Sequence, residues 1–148
     1  KHRKRKMDSS TLRAIHKCTD SVLLQETIRT LKKRAEEGAA LLPEEEEDPF
    51  CVAEKEARFL DRFDIIIINL LEIQEGCEEI IAALERLIEK RVDSYGKILE
   101  MIRQCTRQMR KVKDLQRRAV TALKRATRRK IKGGEKIGVK RLGHTCMT

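Results

Sequence analysis

Catalysis and metal binding need titratable or nucleophilic side chains brought together, and this chain scatters the ones it has. Its three histidines are His2, His16 and His144, and its five cysteines are Cys18, Cys51, Cys77, Cys105 and Cys146. His16-Lys17-Cys18 and His144-Thr145-Cys146 each offer two soft metal ligands. Neither is half of a zinc site, which pairs a C-x2-C with a second such pair or with H-x3-H. Glu44 to Asp48 put five carboxylates in an unbroken row between Pro43 and Pro49. The row lacks the glycine turn and alternating ligand spacing of a calcium loop, so it reads as a solvated linker. No glycine-rich phosphate loop, G-x-S-x-G or H-E-x-x-H occurs. The expectation is no catalytic residue, no metal and no cofactor. An odd, dispersed set of cysteines points to free thiols in a reducing compartment.

The chemistry that remains is electrostatic. Net charge is +10, and it is unevenly spread. Residues 1–43 carry net +6, residues 44–100 net −10 and residues 101–148 net +14. From Arg107 to Lys132 stand Arg107, Arg110, Lys111, Lys113, Arg117, Arg118, Lys124, Arg125, Arg128, Arg129, Lys130 and Lys132, with Asp114 the one acid among them. The last eight of these cations, Arg117 onward, form the candidate contact for an anionic partner. Nucleic acid, lipid headgroups and an acidic protein surface satisfy such a block equally, because charge alone does not choose among them. A solvated helix face also explains it. No aromatic follows Tyr95, so base stacking is unavailable and any nucleic-acid contact would be to the backbone.

These groups are carried on helices. An apolar stripe at alternating four- and three-residue spacing runs from Phe59 to Ala122 through Phe63, Ile66, Leu70, Ile73, Cys77, Ile80, Leu84, Leu87, Arg91, Ser94, Ile98, Met101, Cys105, Gln108, Val112, Leu115 and Ala119. Only Arg91, Ser94 and Gln108 are polar. That period marks a helix with one seam pressed on other helices. Drawn straight, it would be roughly 95 Å long. The helix-packing residues it nominates are Phe59, Phe63, Ile66, Leu70, Ile73, Ile80, Leu84 and Leu87, then Ile98, Met101, Val112 and Leu115. The run Ile65 to Ile68 is apolar on more sides than a two-helix contact needs, which predicts burial among three or more helices.

The domain reading follows. Residues 1–7 are a basic arm, and Met7-Asp8-Ser9-Ser10 looks like a natural start. Residues 8–38 form a first helix, with a phase shift near Val22 to Leu24 and Gly38 as its stop. Residues 39–49 are an acidic linker flanked by prolines. Residues 50–127 form one long coiled-coil helix, with a bend or break expected over Arg91 to Gly96. Residues 128–148 are a basic, disordered tail. The fold class is all-α: an extended helical hairpin or coiled coil with a short first helix and one long second helix. No apolar run is long enough to cross a bilayer.

Phe59-Leu60-Asp61-Arg62-Phe63 and Asn69-Leu70-Leu71, followed by Ile98-Leu99-Glu100-Met101-Ile102-Arg103 and Arg110-Lys111-Val112-Lys113-Asp114-Leu115, resemble two stretches of the KxDL-motif family. These are small helical subunits of complexes that build lysosomes and lysosome-related organelles. The resemblance covers roughly residues 59–119 and needs a short insertion. Where the signature Lys-x-Asp-Leu would fall, this chain has Ile102-Arg103-Gln104-Cys105, and Val112-Lys113-Asp114-Leu115 keeps only its last two residues, ten residues late. The resemblance implies a non-enzymatic subunit of a hetero-oligomer in endosome and lysosome trafficking, cytoplasmic and peripheral on those organelles. Its partners would be other coiled-coil subunits, with self-association as the other use of the seam. The competing expectation is a nuclear or ribonucleoprotein-associated binder that works through the basic C-terminal end.

Overall fold

The computed structural model describes the backbone of residues 8–43, 49–91 and 93–135, and the side chains of residues 8–43, 54–91 and 93–128. All regular structure among them is helical: α1 (Ser9–Lys17), α2 (Ser21–Ala40), α3 (Pro49–Lys90) and α4 (Tyr95–Glu135). The basic arm, the acidic centre of the linker (residues 44–48) and residues 136–148 lie outside the described residues.

Each boundary has a local cause. The Asp8 carboxylate caps α1 by accepting from the Thr11 amide at 2.9 Å. That contact holds its pKa below the ordinary 3.8. The spacing predicts one helix over 8–38, but the chain breaks at Cys18 to Asp20. Cys18 is extended, and the Asp20 carboxylate starts α2 by accepting from the Val22 and Leu23 amides. The phase shift near Val22 is this break. Nor does Gly38 stop α2, which runs on to Ala40. Gly38 is buried where α2 meets α3, and a Cβ there would lie 3.3 Å from Asn69 Nδ2 and 3.6 Å from Leu70 Cδ2. It is glycine because the helices approach closely. Pro43 and Pro49 bracket the linker. Pro49 takes the first position of α3, where its missing N–H costs nothing.

The long helix expected over 50–127 is two, parted within the Arg91 to Gly96 stretch where the sequence marks a bend or break. α3 ends at Lys90, and Arg91 adopts the left-handed conformation, φ 54°, with its amide donating to the Ile88 carbonyl. Ser94 then opens α4. Its Oγ accepts from the Lys97 amide at 3.2 Å and its carbonyl from the Ile98 amide at 3.1 Å. Gly96 sits past the break, in the first turn of α4, with nothing within 4 Å of the place a methyl group would take. α4 continues to Glu135, so the tail expected from residue 128 begins as helix.

α3 and α4, 42 and 41 residues long, are each about 60 Å at 1.5 Å per residue. They fold back on each other as an antiparallel hairpin. Gln116 Nε2 donates to Gln74 Oε1 at 2.9 Å, and Cys105 meets Cys77, which sets the register. Leu87 then stands level with Ile98, Leu84 with Met101, Ile73 with Val112 and Ile66 with Ala119. Toward the open end the small Ala122 and Ala126 come level with Phe63 and Phe59, whose rings pack edge to face at 5.7 Å. α2 lies against the turn-proximal half of the hairpin, antiparallel to α3 and parallel to α4. Ser21 reaches Asp93 at the turn, Gln25 reaches Gln104, and Arg34 reaches Asn69 and Glu72. Its Leu24, Ile28, Leu31 and Ala35 complete a three-helix core with the seam. α1 packs on α3, where His16 donates from Nδ1 to Glu79 at 2.7 Å and accepts at Nε2 from Arg86 at 2.8 Å.

Candidate anion-binding groove

The nominated seam residues are turned inward. Phe59, Ile66, Leu70, Ile73, Ile80, Leu84, Leu87, Ile98, Met101, Val112 and Leu115 are buried within the chain, and Phe63 is partly buried against them. They pack on one another and on α2, so the seam is not the outward surface of a rod. The thiols of Cys77 and Cys105 meet inside it. Donation to Cys77, with burial, pushes the Cys105 thiol far up and keeps it protonated.

Burial of Ile65 to Ile68 among three helices does not occur. Ile66 is buried, but Ile65 is 69% and Ile68 45% exposed, and Leu71 one turn on is 46% exposed. Ile65, Ile68 and Leu71 share one exposed face of α3, and no element among the described residues covers it.

The nominated cations stand on α4. Arg117, Arg118, Lys124 and Arg128 are exposed, and Arg117 pairs with Asp114 at 3.3 Å. Arg125 is half-buried and engaged within the chain. Arg129, Lys130 and Lys132 belong to the same helix, but their side chains lie outside the described residues.

Sequence reasoning missed the place where cations from two helices converge. A groove of about 700 Å³ opens between α2 and α4, lined by Gln25, Ile28, Arg29 and Lys32 from one and Gln104, Arg107, Arg110, Gln108 and Lys111 from the other. Both helices use the same spacing. Positions 25, 28, 29 and 32 face 104, 107, 108 and 111, so parallel strips of identical pitch confront each other. Gln25 Nε2 donates to Gln104 Oε1 at 3.1 Å and closes one end. Beyond it, Arg29 and Lys32 oppose Arg107 and Lys111. No carboxylate lines the groove. Glu100 lies outside the lining and approaches Arg107 at 3.6 Å, while Arg29, Lys32, Arg110 and Lys111 make no ion pair with any described residue.

Family models, curated proteins and solved structures were compared with the chain, and none matches.

The groove's floor explains the third polar interruption of the seam. Gln108 is 6% exposed, makes no hydrogen bond to a described residue, and lines the groove. Its amide is not sealed off, so what remains accessible opens there. Arginine, lysine and glutamine supply N–H donors around the groove, a lining that suits an anion. The signal was available in the sequence as the shared spacing of two Gln- and cation-bearing strips. What it lacked was the knowledge that α2 and α4 run side by side. Among the described residues no three His, Cys, Asp or Glu side chains gather as a metal site, and no helix is long and apolar enough to cross a membrane.

Proposed function

We propose that this chain is a non-enzymatic helical subunit of a hetero-oligomeric complex. The observation that carries the reading is the Ile65, Ile68 and Leu71 stripe. It stays exposed on α3 although the long seam beside it is buried within the chain. Aliphatic side chains grouped on one helix face favour a protein contact. Acidic neighbours Asp61, Asp64, Glu75 and Glu78, all exposed, would direct it toward a basic or amphipathic partner helix. The resemblance to the KxDL-motif family supports assigning the complex to endosome and lysosome trafficking on the cytoplasmic side. Partners retained from native cells through about 0.5 M salt, where charge contacts are screened, test it. Those partners should be lost from an Ile65→Ser/Ile68→Ser variant of unchanged helicity. Retention of every partner by that variant would refute the contact.

The cations of α4 favour a second reading, a nuclear or ribonucleoprotein-associated binder. It requires RNA or DNA affinity that falls steeply with salt and is lost on removing residues 117–148. Assembly with protein partners that survives the same truncation would decide for the first reading.

A further inference from the structure

We propose that the α2–α4 groove binds a compact ligand carrying two or more phosphoryl groups. The site is distinct from the C-terminal cations of α4 and from the α3 stripe, so it goes beyond the reading above.

Like charges facing each other across a helix interface repel, and most interfaces relieve this with carboxylates or larger separation. Here Arg29 and Lys32 oppose Arg107 and Lys111, Arg110 stands beside them, and the lining holds no acid. An anion between the helices converts that repulsion into attraction. Polar donors are also in place. Gln104 gives its oxygen to Gln25, which leaves its own amide N–H groups to donate. Gln108, almost fully buried, keeps an unpartnered amide open to the groove floor. That amide reaches solvent through the groove, so a ligand seated there would replace water as its partner.

Charge and size select phosphate. A phosphate monoester carries about −1.5 to −2 at neutral pH, so two or three match five cations. A carboxylate ligand would need five groups in the same 700 Å³. Arginine's planar fork suits phosphate oxygens in pairs. From Gln25 to Lys32 the groove is about 10 Å long at the helical rise. No aromatic side chain lines it, so the bases of a nucleic acid would find no stacking surface there. The phosphoryl groups could belong to a soluble molecule or to a phosphorylated lipid headgroup.

The test is binding of tripolyphosphate to the full chain by calorimetry at about 0.15 M salt, against citrate as a carboxylate control. Vesicles of phosphatidylcholine with and without a bisphosphorylated inositol lipid separate the two sources. Binding only of tripolyphosphate supports a soluble ligand, and lipid-dependent vesicle binding that tripolyphosphate displaces supports a headgroup. An Arg29→Gln/Lys111→Gln variant should bind about tenfold more weakly, having lost two charge-assisted contacts. An Arg117→Gln/Arg118→Gln variant, with the same loss of charge outside the groove, should bind like the parent. The groove variant loses repulsion, so without ligand it should unfold at the parent's temperature or above. Gln108→Leu, which keeps every charge, should weaken tripolyphosphate while leaving any diffuse attraction intact. Equal weakening by the two double variants, citrate binding as tight as tripolyphosphate, or RNA binding that is tighter and depends on Arg117 and Arg118 would each overturn the proposal.

Discussion

Arg91 holds a backbone conformation that costs an ordinary side chain about 1–2 kcal/mol, in a place where helices usually end on glycine. Arg91→Gly removes that cost and adds a smaller one, the freedom glycine has in the unfolded chain. The variant should be about 0.5–1 kcal/mol more stable in urea unfolding. A loss of stability would mean that Arg91 makes a contact worth more than its strain. Two residues on, Asp93 accepts from Ser21 Oγ at 2.6 Å and from the Ser94 amide at 2.8 Å, and it pairs with Lys97 at 3.3 Å. The Ser21 hydroxyl first, then the Ser94 amide and Lys97, hold its pKa below the ordinary 3.8. A lowered carboxylate stabilises the fold above its unfolded pKa, and that contribution is lost as pH falls through the folded one. Asp93→Ala should therefore be clearly less stable than the parent at pH 7. The gap should shrink below a pH of about 4. A gap of the same size at pH 3 and pH 7 would show that the carboxylate's charge is not what ties α2 to the turn.

The glycines separate packing from propensity at the level of the helix. In both α2 and α4, Gly→Ala gains intrinsic helix stability of up to about 1 kcal/mol. At Gly96 nothing opposes that gain, so Gly96→Ala should raise the unfolding temperature. At Gly38 the new methyl meets Asn69 Nδ2 at 3.3 Å, and Asn69 is held by Arg34 and cannot easily withdraw. Gly38→Ala should lower the unfolding temperature, and calorimetry on the two variants checks the contrast. Asp20→Ala should cost about 1 kcal/mol, the usual worth of a helix cap, measured in the same experiment. These boundaries were only half legible. Asp8, Asp20 and Ser94 are common capping residues, but many such residues in the chain cap nothing. Gly38 misled, because glycine reads as a stop; Arg91 lies in the stretch marked for a bend or break, but its residue type does not announce a left-handed turn. Tertiary contact decided the first, and the tight turn between two long helices the second. The groove lay a level further away, since its strips sit 79 residues apart at the Gln25–Gln104 contact and only the packing of α2 beside α4 unites them.

For the whole molecule the seam was legible and its partner was not. An alternation of three and four residues reads the same in both directions, so a straight rod and a chain doubled back upon itself present one pattern. Arg91 and Ser94 are the polar pair about which that pattern reflects. The folded-back form places exposed Ala57 on α3 near the level of exposed Arg128 on α4. Spin labels at those positions should lie within about 25 Å, given helix axes 8–10 Å apart and the reach of the labels. A straight helix would hold them roughly 105 Å apart.

That mirror property of the seam has a further result. The short connection between Lys90 and Tyr95 is all that assigns α4 to its own α3 rather than to the α3 of a neighbour. Were Arg91 to return to helical angles, two chains could exchange their C-terminal arms and rebuild every apolar layer in the same order. Such swapping costs little beyond the hinge itself. Because that return would also release the left-handed strain at Arg91, the hinge favours exchange as copies are crowded together.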